Sequence, residues 1–244
     1  SVPLDMPPGG RQEVVWALAV ADTWAAANAL RNEYARPDRA REALQATRDA
    51  WADRLAALHV HTGDDVADRF INVWNPYNAA VTCQLCRIIS TDHMGTDGLR
   101  FRDTSQDALA VAHFDASYAA ERMRLVLSQQ TADGGGCFAF FPDASQPTSD
   151  APHRSDNPVW PVYTMYALLA ETGEMALLDE ELPYRDGGAG SVYEHLLAGL
   201  RHVHDRRGPA GLPLLFDVDW NDALAMFADR QAQTVMLGMQ MVLA

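Results

Sequence analysis

The sequence predicts an all-α fold, and three observations carry that expectation. Leu44, Trp51, Leu55 and Leu58 recur at helical spacing on one face after Pro37. Phe70, Ile71, Trp74, Tyr77, Val81, Leu85 and Ile88 do the same beyond Gly63. The stretches between such segments carry Gly and Asp, and no period short enough for a solenoid runs through the chain. Together these imply helices joined in pairs by long loops, with the functional loops on one rim.

The elements follow in order. In 11–21 Val14, Trp16, Leu18 and Val20 alternate, which fits a buried strand and equally the opening of a helix. The Ala-rich stretch 23–34 is helical, and an amphipathic helix follows Pro37 up to a break at 59–63. Thr62 and Asp65 read as a capping pair for a helix over 64–89, which Pro76 should kink or split. A loop over 91–103 carries Gly95 and Gly98. Further helices are expected over 106–113, 116–130, 157–171, 191–203 and 230–244, with irregular chain at 133–136 and 143–154.

Bulk properties exclude more than they identify. An apolar content of 48% is enough for a sizeable core, and a net charge of −14 argues against nucleic acid and anionic membrane surfaces. No apolar run approaches the roughly 18 residues of a membrane span, and the first ten residues lack a basic-then-apolar leader. Three cysteines are too few, and odd in number, for a disulfide framework, so a cytoplasmic location is expected. Cys83 and Cys86 form a CxxC without a second pair, which favours small buried side chains over a metal site. The opening Ser1-Val2-Pro3-Leu4-Asp5 and the apolar run 231–244 read as the ends of a fragment of a longer protein.

Two acidic motifs carry the chemistry: Arg102-Asp103-Thr104-Ser105-Gln106-Asp107 and Asp219-Trp220-Asn221-Asp222. An aromatic face, a guanidinium and a carboxyl are what a site needs to hold a sugar and protonate its leaving oxygen. Trp220 could desolvate Asp222 and raise its pKa so that it donates a proton; the alternative is that Asp219 or Asp222 merely caps the following helix. Arg102 and Asp103 could both reach a polyhydroxylated ligand from a loop. The alternative is a surface ion pair at a helix start, with Asp103 capping and Gln106 completing a capping box. His202 and His204, two residues apart, read as a solvated helix end, and the pairs Trp74/Tyr77 and Trp160/Tyr163 as core packing.

In order along the chain these motifs resemble those of glycoside hydrolase family 94, the inverting disaccharide phosphorylases. Asn72-Val73-Trp74-Asn75-Pro76-Tyr77 is similar to its N-x-W-x-x-Y helix, and Phe101-Arg102-Asp103 through Asp107 to its F-R-D-x-x-Q-D loop. Asp133-Gly134-Gly135, Ser155-Asp156-Asn157-Pro158-Val159-Trp160 and Thr172-Gly173-Glu174 resemble three further segments. Gly211-Leu212-Pro213 with Asp219-Trp220-Asn221-Asp222 resembles the catalytic loop.

The resemblance implies an N-terminal β-sandwich, linker helices and an (α/α)6 barrel with its active site at the loop-built mouth. Here 1–21 would be the end of the sandwich, 22–60 the linker helices, and 61–244 a catalytic barrel incomplete at its C-terminus. It implies inverting phosphorolysis of a β-linked, cellobiose-like disaccharide to an α-sugar 1-phosphate and a free sugar. Asp222 matches the general acid. Arg102 and Asp103 match residues that hold the non-reducing sugar, Trp220 would line that subsite, and Asp107 would support the loop. Inorganic phosphate is the co-substrate, with no metal and no other cofactor, and a homodimer is the family habit.

Departures qualify the match. The stretch His93 to Gly98 lacks the Arg that cellobiose-type members place near phosphate; Asn78 stands where Gln is usual, and Cys137-Phe138-Ala139-Phe140 where a His often follows. The family's phosphate-binding His and Thr would lie beyond Ala244. Two other readings therefore stand beside phosphorolysis: a hydrolase or transglycosylase on the same barrel, as in cyclic β-1,2-glucan synthases, and a catalytically inactive sugar-binding barrel.

Overall fold

The computed structural model describes residues 6–85, 98–142, 144, 146–227, 229 and 231–244. The chain divides into two compact units, Ser1–Ala56 and Ala57–Ala244.

The first unit holds two helices. Helix α1 (Trp24–Tyr34) is capped by Thr23, whose hydroxyl accepts from the Ala26 N–H at 3.2 Å. Pro37 opens α2 (Pro37–Leu55) at the first helical turn, where its missing N–H has no partner to lose. Neither helix buries a side chain, and Leu44, expected on a core face, is exposed. Residues 11–21 form neither helix nor hydrogen-bonded strand, and Trp16, Leu18 and Val20 are exposed. An extended segment builds a ladder only against a neighbouring strand, and none among the described residues of this unit supplies one.

In the second unit, Asp64 rather than Thr62 caps α3 (Asp65–Arg69), accepting from the Val66 and Ala67 N–H groups. Thr62 instead donates its hydroxyl to Asp68 at 2.6 Å. The expected break at Pro76 takes a definite form. Phe70–Trp74 is a π-helical stretch, with the Asn75 N–H bonded back to the Phe70 carbonyl, and α4 (Asn75–Leu85) resumes the ordinary pitch. The widened turn accommodates a ring that would otherwise press on the carbonyl four residues earlier. Trp74 and Tyr77 meet edge to face at 6.2 Å, but both are exposed rather than packed in a core.

The rest follows as β1 (Leu99–Arg100), α5 (Phe101–Val111), α6 (Ala116–Leu127) and β2 (Ala139–Phe140). A 3-10 turn, Asn157–Val159, leads into α7 (Trp160–Thr172); a hairpin of β3 (Glu181–Pro183) and β4 (Ala189–Ser191) leads into α8 (Val192–Asp205). Ser191 and Glu194 form a capping box at the start of α8. The chain then runs through irregular loop and a 3-10 stretch, Asp222–Phe227, to α9 (Val235–Leu243). Ala108, Val111, Ala119, Met123, Leu127, Met165 and Leu168 form the main core among α5, α6 and α7. The architecture is an open part of a helical barrel: among the described residues the helices do not close into a ring. No helix among them is long and apolar enough to cross a membrane.

Helix α5 starts five residues before the sequence expectation, so Arg102 and Asp103 stand on its first turn and not on a loop. Strand β1 pairs antiparallel with β2, and a small core of Leu99, Phe101, Val126, Cys137 and Phe140 locks the junction. Asp103 then falls where the helix dipole favours a carboxylate. Cys83 and Cys137 are buried, and burial pushes the Cys137 thiol up to about 12; Cys86 lies outside the described residues. His202 departs from the expectation of a solvated helix end, since its Nδ1 lies 3.1 Å from the Asp133 carbonyl oxygen and the ring is largely covered, whereas His204 is exposed.

Among the described glycines of this unit, Gly134 makes the closest backbone approach. Its φ is +90°, and a Cβ built there would lie 2.0 Å from the Ala198 carbonyl oxygen of α8. Gly134→Ala is expected to lower the unfolding midpoint in urea by the equivalent of about 3 kcal/mol or more, from left-handed strain and overpacking together. Gly211→Ala, also at positive φ but with nothing within 4 Å, should shift it by no more than about 1–2 kcal/mol; equal effects would contradict the packing account.

Candidate functional site

Arg102 is the hub. Its guanidinium is almost fully buried and collects carboxyl groups and carbonyls from three separate parts of the chain. Nε donates to Asp103 Oδ1 at 3.2 Å, and Nη1 donates to the Asp219 main-chain carbonyl at 3.3 Å. Nη1 also lies 3.5 Å from Asp156 Oδ2, and Nη2 lies 3.5 Å from Asp222 Oδ1. Burial opposes the Arg102 charge, but Asp156, Asp103 and Asp222 outweigh it and raise its pKa. Asp156 is fully buried and receives the Trp160 indole N–H at 2.8 Å. Burial pushes its carboxyl above the usual range, against the pull of Arg102.

The Asp219–Asp222 loop is built from short-range turns. Asp219 is buried; Oδ1 accepts from the Asn221 N–H at 2.9 Å, and Oδ2 accepts from the Thr234 hydroxyl at 2.7 Å. Asn221 accepts from the Ala223 N–H at 3.2 Å and so caps the 3-10 stretch. Neither aspartate is the cap, which removes that alternative for Asp222. Its carboxyl instead turns back to Arg102 and to Arg154, whose Nη1 donates to Asp222 Oδ1.

Arg102, Asp103, Gln106, Trp220, Asn221, Asp222 and Ala223 line one open cleft. Four of the five residues singled out in the sequence therefore meet across almost 120 residues of chain. Asp107 does not: it is buried on α5, one turn beyond Asp103 and outside the cleft lining. The expected tryptophan shield is also missing. Trp220 is 52% exposed and the Asp222 side chain 63% exposed. What burial Asp222 has would raise its pKa, but the hydrogen bond from Arg154 and the charges of Arg154 and Arg102 hold it below the ordinary carboxylate value. Two cations, not an aromatic wall, set its state here.

Sequence reasoning missed Arg154 and Asp156. The signal was present: Arg154-Ser155-Asp156 places an Arg two residues from an acid at the end of an irregular stretch, a pairing of charges like that of Arg102-Asp103. The Ser155 N–H donates to the Val218 carbonyl at 2.9 Å, and the His153 N–H donates to Asp217 Oδ2 at 2.8 Å, so this segment is stitched to the Asp219–Asp222 loop. Among the described residues no group of three or more His, Cys, Asp and Glu has the geometry to hold a metal ion.

Comparison with known proteins gives this cleft a context. Residues 50–244 match the family model for the glycosyl hydrolase 94 superfamily, catalytic domain. The chain is 29% identical over 232 residues to N,N'-diacetylchitobiose phosphorylase of Vibrio furnissii, covering 85% of this chain and 29% of that protein. It is 42% identical over 127 residues to solabiose phosphorylase of Paenibacillus borealis, covering 52% of this chain and 16% of that protein. It is 29% identical over 239 residues to cyclic beta-(1,2)-glucan synthase NdvB of Rhizobium meliloti (strain 1021), covering 88% and 8%. The chain thus spans less than a third of the length of the curated relatives it matches.

Removing the hub charge should expose the buried acid behind it. Arg102→Met is expected to destabilise the fold at pH 7 by roughly 3–5 kcal/mol in urea denaturation, because Asp156 is left buried and unpaired. The pKa of Asp156 already stands above its unfolded value, and the substitution raises it further. The unfolded state is common to both proteins, so the penalty is absent while Asp156 is protonated in each and grows as pH rises from its wild-type folded value toward the still higher value in the variant. A penalty independent of pH would contradict this assignment.

Proposed function

We propose, from the premise that this chain belongs to the glycosyl hydrolase 94 superfamily, that it carries the donor-sugar half of a disaccharide phosphorylase site. The observation that supports the reading best is the convergence of Arg102, Asp103, Trp220 and Asp222 on one cleft. In that cleft Arg102 and Asp103 bind and orient adjacent hydroxyls of the non-reducing sugar, and the half-exposed Trp220 offers an apolar face.

Asp222 is the general acid in this reading. Its carboxyl proton passes to the glycosidic oxygen as the C1–O bond breaks, releasing one free sugar. An oxygen of inorganic phosphate forms the new bond to C1 from the opposite face, giving an α-sugar 1-phosphate. Phosphate takes the place of activated water, so a second carboxylate acting as base is unnecessary. In the free protein Asp222 is ionised and largely exposed. Sugar binding withdraws it from water and phosphate adds a negative neighbour; both raise its pKa and supply the proton-bearing form.

A β-linked disaccharide is the substrate class, with the cellobiose-like type as the starting choice. The chitobiose and solabiose phosphorylases among the relatives support phosphorolysis over other chemistry. The relation to a cyclic beta-(1,2)-glucan synthase favours a second reading, transglycosylation or hydrolysis on the same barrel.

The intact protein with Asp222→Asn is expected to lose about 10²–10⁴-fold in phosphate-dependent turnover of β-linked disaccharides. A donor with a leaving group that needs no proton, such as a glycosyl fluoride, should be affected far less. Normal disaccharide turnover by this variant would refute the assignment of the acid. Free sugar released at the same rate with and without phosphate would replace phosphorolysis by the second reading.

A further inference from the structure

Arg154 has no role in the reaction as outlined above, yet it makes the strongest contact to Asp222. Its backbone bridges to Phe216 and to Val218, and its guanidinium lies 5.2 Å from the centre of the Phe138 ring. The side chain is largely buried, whereas Asp222 is mostly exposed, so the fixed partner positions the free one. On its other side Arg154 borders a second cleft of about 360 Å³ shared with Arg185 and Arg206. Those two are matched by Asp150 at 2.8 Å and Asp133 at 2.7 Å; Arg154 is the cation turned toward Asp222.

Resting on the reading of Asp222 as the acid, we propose that Arg154 is its positioning residue: with Arg102 it occupies Oδ1, so that Oδ2 is the oxygen that carries the proton and meets the glycosidic oxygen. Both guanidinium contacts fall on Oδ1. Arg154 donates a hydrogen bond to that oxygen and the Arg102 guanidinium stands 3.5 Å from it, so two positive charges disfavour a proton there and the second oxygen is the better placed to carry it. The charged groups around Asp222 are Arg102 and Asp103 from α5, Arg154 and Asp156 from the segment before α7, and Asp219 in its own loop. Arg154 and Arg102 are the cations that lower its pKa. Loss of Arg154 therefore raises that pKa and frees the carboxyl to rotate.

The test compares Arg154→Gln and Arg154→Lys in the intact protein, measuring kcat and KM for a β-linked disaccharide and for phosphate across pH. Arg154→Gln should lower kcat by about 10–100-fold through misplacement of the acid. It should also move the alkaline limb of the kcat profile up by about one pH unit or more. Arg154→Lys keeps the charge but not the planar fork, so the limb should return toward its original position with kcat still reduced. If Arg154→Gln does not fold, Arg154→Lys decides alone: reduced kcat with the limb in place supports the role, and unchanged kcat overturns it. An unmoved limb in Arg154→Gln, or a raised KM for phosphate with kcat intact, also overturns it. Asp222→Asn serves as the control: if it turns over normally the reading of the acid fails. If it is inactive while the Arg154→Gln limb stays put, only the role of Arg154 fails.

Discussion

A buried guanidinium is the constraint on which the loop face of this chain depends. Arg102 cannot leave water without anionic and carbonyl partners, because an uncompensated charge inside a protein is strongly unfavourable. The partners come from its own helix (Asp103), from the segment before α7 (Asp156) and from the loop before α9 (the Asp219 carbonyl and Asp222). Each arrives on an element with its own anchor: Phe101 in the small core under β1 and β2, Trp160 on Asp156, Thr234 on Asp219. The cleft is the solvent-facing edge of that arrangement.

Electrostatics at this edge differ from the mechanism that the motif alone suggests. A tryptophan next to an acid reads as a desolvating wall. Here Trp220 turns largely outward and two arginines hold Asp222 ionised. For an acid that must give up a proton, such a resting state makes protonation contingent on what enters the cleft. A carboxyl already protonated in the free protein would have needed no ligand to prepare it. In the proposed reaction the arginine pair would couple proton uptake to occupancy, since sugar and phosphate would both act against the ionised form.

Much of the fold was legible because helical periodicity and punctuation agree. Pro37 and Ser191 mark helix starts and Pro76 marks a disturbance, whereas α9 starts at Val235, five residues later than expected, behind its Thr234 cap. The form of that disturbance, five residues of π-helix, depends on local packing and leaves no trace in the pattern. The start of α5 was misplaced because Arg102-Asp103-Thr104 looks like polar loop. Its helicity is imposed by tertiary burial of Phe101 and by the β1–β2 pairing, both set by residues some forty positions away. The cleft was legible as two motifs of unusual chemistry. Arg154 escaped because it closes the irregular stretch 143–154, and its meaning comes only from Asp222, 68 residues later.

Asp219 and Asp222 show how far environment outweighs motif in assigning roles to like residues. They sit three positions apart, carry the same group, and border the same tryptophan. Asp219 is buried with both oxygens satisfied, one by a backbone N–H and one by a hydroxyl that also caps α9. Asp222 has one oxygen held by arginines, lines the cleft, and is mostly exposed. The first carboxylate can only hold the loop in place, whereas the second has both a fixed end and a free one. A proton-transfer group needs that combination: orientation from the protein on one oxygen, and access for the substrate on the other.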